Sequence, residues 1–362
     1  MKKFISIFIP SSSCNLRCHY CYVTHHKMFD GEIPDFKYTP DELKQALSKK
    51  RLGGVSLINF CASGETLIPE IIIHYVNALL AEGHYVMIVT NGLLTKRIEK
   101  LCGFEEEYRK RLFIKFSYQY LELKKRGLID VFFSNIISVR NAGISFSVEL
   151  TACDELMDFV DDACEYSINY LGAKPHVTIG RDERVAGELP ILTDLNEKEY
   201  YSFWNKMGSS FFQYKQTIFG VKRKEFCYAG AWSGILNICT GNMSQCYKFC
   251  YSQNIFNDLN KPIRFFPVGN NCMSEHCYNG HVFIALGVIP ELNAPTYFQL
   301  RHKDVKSGGD WIGSEMKSFL SRKLFDYNDE YDAVRKNIAN LECLSRKLVK
   351  SGVRSVVKYI RK

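Results

Sequence analysis

Hydrophobic and polar positions along the chain fall into two alternating kinds of segment. Between residues 4 and 180, short runs rich in β-branched and aromatic residues recur: FISIFI (4–9), VSLINF (55–60), HYVMIVT (84–90), LFIKFSY (112–118), ISFSVEL (144–150) and HVTIG (176–180). Apolar runs of this length read as strands buried on both faces. Between them, DELKQALSKK (41–50), PEIIIHYVNALLAEG (69–83) and CDELMDFVDDACEYSINYLG (153–172) space their apolar residues as helices do. Strands alternating with helices at roughly thirty-residue intervals predict βαβ units and a parallel sheet. Six such repeats predict an α/β fold, a partial (β/α)6 TIM-like barrel.

In such a sheet ligands gather at the C-terminal ends of the strands. Those ends hold Ser11 to Cys21, Cys61 to Glu65, Thr90-Asn91-Gly92, Ser117, Glu149 and Gly180-Arg181. Turn chemistry accounts for the glycines and the asparagine. It does not account for the cysteines. Residues 181–200 are polar and read as a linker, followed by a helix over 197–213. An irregular stretch rich in Cys, Gly and Asn runs over 226–290, and helical periodicity returns from about 325. The expected division is therefore a core over 1–180, linker and helix over 181–225, a small domain over 226–290, and a largely helical extension over 291–362.

Composition changes this picture in three places. With 46% hydrophobic and 24% charged residues, the 362-residue chain is ordinary globular protein. No run is long enough to cross a bilayer, and Pro10 interrupts the only apolar start without a cleavage site, so a cytoplasmic location is expected. Fourteen cysteines without an export signal read as metal thiolates rather than disulfides. Three lie within 14–21 and six between Cys227 and Cys277, which predicts two metal sites. The net charge of +8 owes seven cations to the last eighteen residues, which hold no acid. The remainder is nearly neutral, which disfavours nucleic acid as a partner.

Cys14, Cys18 and Cys21 offer three thiolates from one loop. Structural zinc normally closes with four protein ligands, and His19, His25 or His26 could supply the last. A [4Fe–4S] cluster held by three cysteines instead leaves one iron open.

The spacing C-x3-C-x-aromatic-C, with Tyr20 before Cys21, resembles the signature of the radical S-adenosylmethionine (SAM) superfamily. The resemblance implies that the open iron chelates SAM, and that an electron from the cluster cleaves SAM to a 5′-deoxyadenosyl radical. It implies further SAM contacts. Ser63-Gly64-Glu65 is a loose match to the family's Gly-Gly-Glu-Pro element, with Glu65 receiving the methionyl ammonium. Asn91 lies in a matching third-strand element, Ser117 and Glu149 stand where the family often contacts ribose, and Arg181 is positioned to meet the carboxylate.

Cys227, thirteen residues, Gly241 and Cys246 resemble the auxiliary-cluster segment of SPASM and twitch enzymes of that superfamily. With Cys272 and Cys277 they make a closed set for a second, auxiliary [4Fe–4S] cluster. Cys239 and Cys250 are the alternative ligands, and a structural zinc knot is the alternative centre. The implied reaction is hydrogen abstraction from a substrate C–H bond, with flavodoxin or ferredoxin as electron donor. The first strand begins within four residues of the start, which favours a saccharide or small metabolite, oxidised or epimerised, over a peptide. A zinc-stabilised, non-enzymatic binding protein is the competing class. At the C-terminus, Leu344, Leu348, Val349, Val353, Val356, Val357 and Ile360 recur at helical intervals among Lys and Arg; such a stripe is expected to pack on the domain, with a partner or peripheral contact with an anionic membrane as the alternatives.

Overall fold

A computed structural model describes residues 1–29, 31–185, 188–305 and 309–360, with side chains described up to residue 348. Six parallel strands form where apolar runs were expected: β1 (Phe4–Ile9), β2 (Leu57–Ala62), β3 (Tyr85–Thr90), β4 (Leu112–Tyr118), β5 (Ser145–Ala152) and β6 (His176–Ile179). Three more follow: β7 (Ser233–Asn237), β8 (Asn242–Ser244) and β9 (Ser252–Asn254). The order across the sheet is β6-β5-β4-β3-β2-β1-β7-β8-β9. The pairing is parallel from β6 through β7 and antiparallel in β7–β8–β9. The barrel is therefore open, with β6 and β9 as its edges.

Successive side chains point to opposite faces, so each strand serves two layers. One face, with Ile5, Ile7, Ile58, Phe60, Ile88, Ile114 and Val148, packs under helices that contribute Leu43, Tyr75, Leu79, Phe132 and Ile136. The other face changes character along the strands. Near the N-terminal ends, Phe4, Leu57, Met87 and Phe113 form a second core with Phe283, Ile284, Tyr297 and Met316. Phe4 meets Phe283 edge-on at 5.4 Å and Phe113 meets Tyr297 at 6.3 Å. Toward the C-terminal ends the same face turns polar. On β4, Phe113, Lys115 and Ser117 follow one another from core to cavity.

Two expectations are corrected. The single helix over 197–213 is two, Glu197–Asn205 and Ser210–Ile218, because Gly208 takes a left-handed φ of 63° and Ser209 caps the next helix by accepting from Phe212 N–H. That second helix covers the β6 edge, where Ser209 Oγ accepts from Val177 N–H at 3.1 Å. The stretch 226–290 is not irregular throughout: β7 joins the main sheet beside β1, with Phe4 paired to Ser233 and Phe8 to Asn237. The final helix, Ala333–Ile360, packs through Ala339 and Cys343 and leaves Val334, Ile338, Leu341, Leu344 and Leu348 exposed. The expected stripe at Val349, Val353, Val356, Val357 and Ile360 lies on this helix, beyond the residues whose side chains are described. No helix among the described residues is long and apolar enough to cross a membrane.

Candidate functional site

After β1 the chain runs through the cysteine loop into the short helix Tyr22–His25. Backbone bonds strap this loop to the one that follows β2. Ser63 N–H donates to Ile9 O (3.3 Å), Gly64 N–H to Ser11 O (2.7 Å) and Glu65 N–H to Ser13 O (2.9 Å). A Cβ on Gly64 would lie 2.1 Å from Ser13 O, so only glycine allows the two backbones to meet. The result gathers Cys14, Cys18, Tyr20, Cys21, Ser63, Gly64, Glu65, Asn91 and Ser117 around one cavity of about 210 Å³.

The three thiols stand close enough to perturb one another. Burial pushes Cys18 up, and Cys21 and Cys14 push it further. Burial also raises Cys14; the Leu16 N–H opposes this, while Glu65 and Cys21 add to it. Cys61 lines the cavity too, but its neighbours are Lys115 and Glu65 rather than the triplet. None of the candidate histidines lines it. His19 Nε2 is 3.0 Å from Glu155, His26 Nε2 is 3.1 Å from Glu183 O, and the buried Nδ1 of His25 has no partner.

Glu65 is 2% exposed. One of its oxygens accepts from Thr90 Oγ1 (2.7 Å) and Leu67 N–H (2.9 Å), the other from Asn91 N–H (2.7 Å). Burial raises its pKa, and those donors oppose the rise. Asn91 Nδ2 donates to Asn15 Oδ1 at 2.6 Å and lies 3.8 Å from Cys14 Sγ. Tyr20 and Thr151 share a hydrogen bond, as do Tyr22 and Ser63.

Glu149 and Arg181 lie in a second cavity of about 250 Å³, which shares Tyr20, Cys21, Val89 and Ser117 with the first. Glu149 pairs with Lys115 (3.1 Å) and Arg301 (2.9 Å). Burial works to raise its pKa, yet these cations hold it at about 2. Arg181 donates to Tyr278 O at 2.8 Å and pairs with Glu183 at 3.0 Å. Sequence reasoning did not find Lys115, Lys215 or Arg301. Lys115 was discoverable, since a lysine alternating with Phe113 and Ser117 inside an apolar strand must face a polar interior. Lys215 and Arg301 sit in helices and read as solvated.

Cys227, Cys246, Cys272 and Cys277 line a third cavity. Gly241, at φ 72°, turns β7 into β8, and Ile235 opposite Ser244 fixes the register that carries Cys246 back. Cys227 is fixed by reciprocal backbone bonds with Gly269 (3.2 and 3.0 Å). Burial raises Cys277, and Cys246, Cys227 and Cys272 raise it further. Cys250 instead faces Cys343, with the sulfurs 2.6 Å apart, and Cys239 lies in the turn after β7. Tetrahedral zinc holds its sulfurs about 3.8 Å apart. Among the described residues, neither cysteine set brings three sulfurs within 4.8 Å of one another.

A family model for the radical SAM superfamily matches residues 8–148. No curated protein matches the chain in sequence. Among solved structures, SuiB of Streptococcus suis bound to S-adenosylmethionine is 13% identical with a TM-score of 0.50, covering 70% of this chain and 63% of its own. A second SuiB structure gives 14% and 0.50 over the same shares. The structure of anSMEcpe with AdoMet and the Cp18Cys peptide is 14% identical with a TM-score of 0.48, covering 93% of this chain and 99% of its own. The chain thus spans 63% of the SuiB chain, and at these identities the likeness is one of fold.

Proposed function

Residues 8–148 make the chain a member of the radical SAM superfamily, an enzyme class, and from that premise we propose that Cys14, Cys18 and Cys21 hold a [4Fe–4S] cluster that binds SAM. With both bound, one electron cleaves SAM to methionine and a 5′-deoxyadenosyl radical, which takes hydrogen from a substrate C–H bond. The observation that carries this reading is the convergence of three thiols and the buried Glu65 on one cavity that no candidate histidine enters.

Glu65 receives the methionyl ammonium, since its carboxylate is already oriented by Thr90, Leu67 and Asn91 and faces the cavity. Gly64 lets the β2 loop lie against the cysteine loop, which places that carboxylate beside the thiols. Asn91 braces the loop through Asn15. Ser117 and Tyr20 line both cavities and so stand between the space that would take the cofactor and the space left for substrate. Cys227, Cys246, Cys272 and Cys277 hold an auxiliary [4Fe–4S] cluster, as in SPASM or twitch proteins, whose cavity meets the second one at Asn279.

The substrate is a saccharide or other small metabolite. The support is the second cavity: polar, about 250 Å³, and walled by strand ends and the auxiliary segment. An electron donor of the flavodoxin or ferredoxin kind and a cytoplasmic location complete the reading.

The test is anaerobic reconstitution with iron and sulfide, followed by SAM and dithionite. We expect about eight irons per chain for two such clusters and formation of 5′-deoxyadenosine, which Cys18→Ala abolishes. Two zinc ions without labile sulfide, or a Cys18→Ala protein that cleaves SAM at the original rate, would overturn it.

A further inference from the structure

Apart from Cys21, which the proposed cluster takes, the side chains lining the second cavity carry more positive than negative charge. Lys115, Arg181 and Lys215 face it, with Glu149 and Glu183 as the only carboxylates among its described lining. Glu183 is taken by Arg181. Glu149 is shared by Lys115 and by Arg301, whose 0%-exposed guanidinium lies beneath, against Tyr297 at 3.8 Å and Phe211 at 4.4 Å. One carboxylate thus serves two cations. Among the described residues, Lys215 has no carboxylate at ion-pair distance.

The Lys215 ammonium, 6% exposed, donates to Thr178 Oγ1 and Ile179 O, both at 2.8 Å. An ammonium carries three N–H donors, so one remains, and the cavity is the space it lines. Burial lowers its pKa well below the usual lysine range, and Arg181 lowers it further while Glu149 opposes. His281, also in the lining, has a buried Nδ1 without a partner. Burying cations beyond their counter-charges is costly, and an anion bound between them relieves that cost by favouring the charged form of Lys215.

We infer that the second cavity is a subsite for an anionic oxygen group of the substrate, a carboxylate or a phosphate, held between Lys215 and Lys115 with Thr178 and Thr151 beside it. Arg181, fixed between Tyr278 and Glu183, closes the side toward the auxiliary segment. Such a group would anchor the substrate while its C–H bond lies toward Tyr20 and Ser117, at the boundary with the first cavity. This location of the reacting carbon rests on the radical SAM reading; the anion site itself does not.

The test uses reconstituted holoenzyme saturated with SAM and kept unreduced, titrated calorimetrically with inorganic phosphate and, separately, acetate. One of them is expected to bind with 1:1 stoichiometry, the tighter one naming the group, without displacing SAM. Lys215→Met should weaken it about ten-fold or more, the usual effect of losing a buried charge-assisted bond. Lys115→Met should weaken it as well, and serves if Lys215→Met does not fold. Absence of binding in the wild type, binding unchanged in a folded lysine variant, or displacement of SAM by the anion would each overturn the inference. Because no reductant is present, a failure of SAM cleavage leaves this result readable on its own.

Discussion

Glu149 joins three parts of the chain through one carboxylate: β5, which carries it, Lys115 on β4, and Arg301 in the helix Tyr297–Arg301. Glu149→Gln would leave two buried cations facing each other, and breaking a buried pair in this way costs about 3–5 kcal/mol. Urea unfolding at neutral pH should show that loss. The pH dependence has a definite sign. Because the folded carboxyl is held at about 2 against an ordinary 4.5, its contribution is complete above that ordinary value. It is lost as pH falls from there toward 2. The wild type should therefore lose stability across that window more steeply than Glu149→Gln. At this scale the sequence spoke unevenly. The triplet, Glu65 and the strand-borne Glu149 were visible as polar residues at apolar strand ends. Arg301 was not, because its partner is 152 positions away and nothing local distinguishes it from a surface arginine.

Among the elements, the β7–β8 hairpin bears most on chemistry. It adds two strands to the main sheet and, through Cys246, one wall to the auxiliary cavity. Gly241 occupies the left-handed region, where a Cβ would also lie 2.5 Å from the Tyr38 hydroxyl and 2.9 Å from Asn254 Nδ2. A β-branched residue there costs at least about 1–2 kcal/mol. Gly241→Val should accordingly lower iron from about eight to about four per chain while 5′-deoxyadenosine formation persists. Iron and sulfide analysis alongside that assay checks it. The strands β1 and β4 were legible to the residue, since FISIFI and LFIKFSY are long and apolar. β7 was not: SGILN is short and lies among Cys, Gly and Asn, and its strand character comes from pairing with β1 rather than from its own composition.

For the molecule as a whole, the segment after the auxiliary cavity closes the concave face of the sheet. Phe283, Tyr297 and Met316 cover Phe4, Leu57, Met87 and Phe113, and Trp311 N–H reaches Leu171 O at 3.4 Å. Removing residues 280–362 would expose four large apolar side chains on one face, a patch that soluble monomers rarely carry. The truncated chain should aggregate on expression although every proposed cluster ligand remains. Comparing soluble yield with the full chain tests this. The sequence resemblance did not reach this extension, and its local pattern gave no sign that Tyr297, Trp311 and Met316 would be buried against the sheet.

The position of β1 between β2 and β7 also bears on how the chain is made. Phe4 finds its partner Ser233 only when roughly 230 further residues have emerged, on the order of ten to fifty seconds of synthesis. Until then one edge of β1 has no neighbour, and the loop bearing Cys14, Cys18 and Cys21 hangs from a half-supported strand. The thiols on the loop after β1 thus acquire their rigid setting only once β7, more than two hundred residues downstream, has emerged. Iron delivered to the nascent chain would meet a flexible chelator, while iron delivered after release would meet a finished cradle.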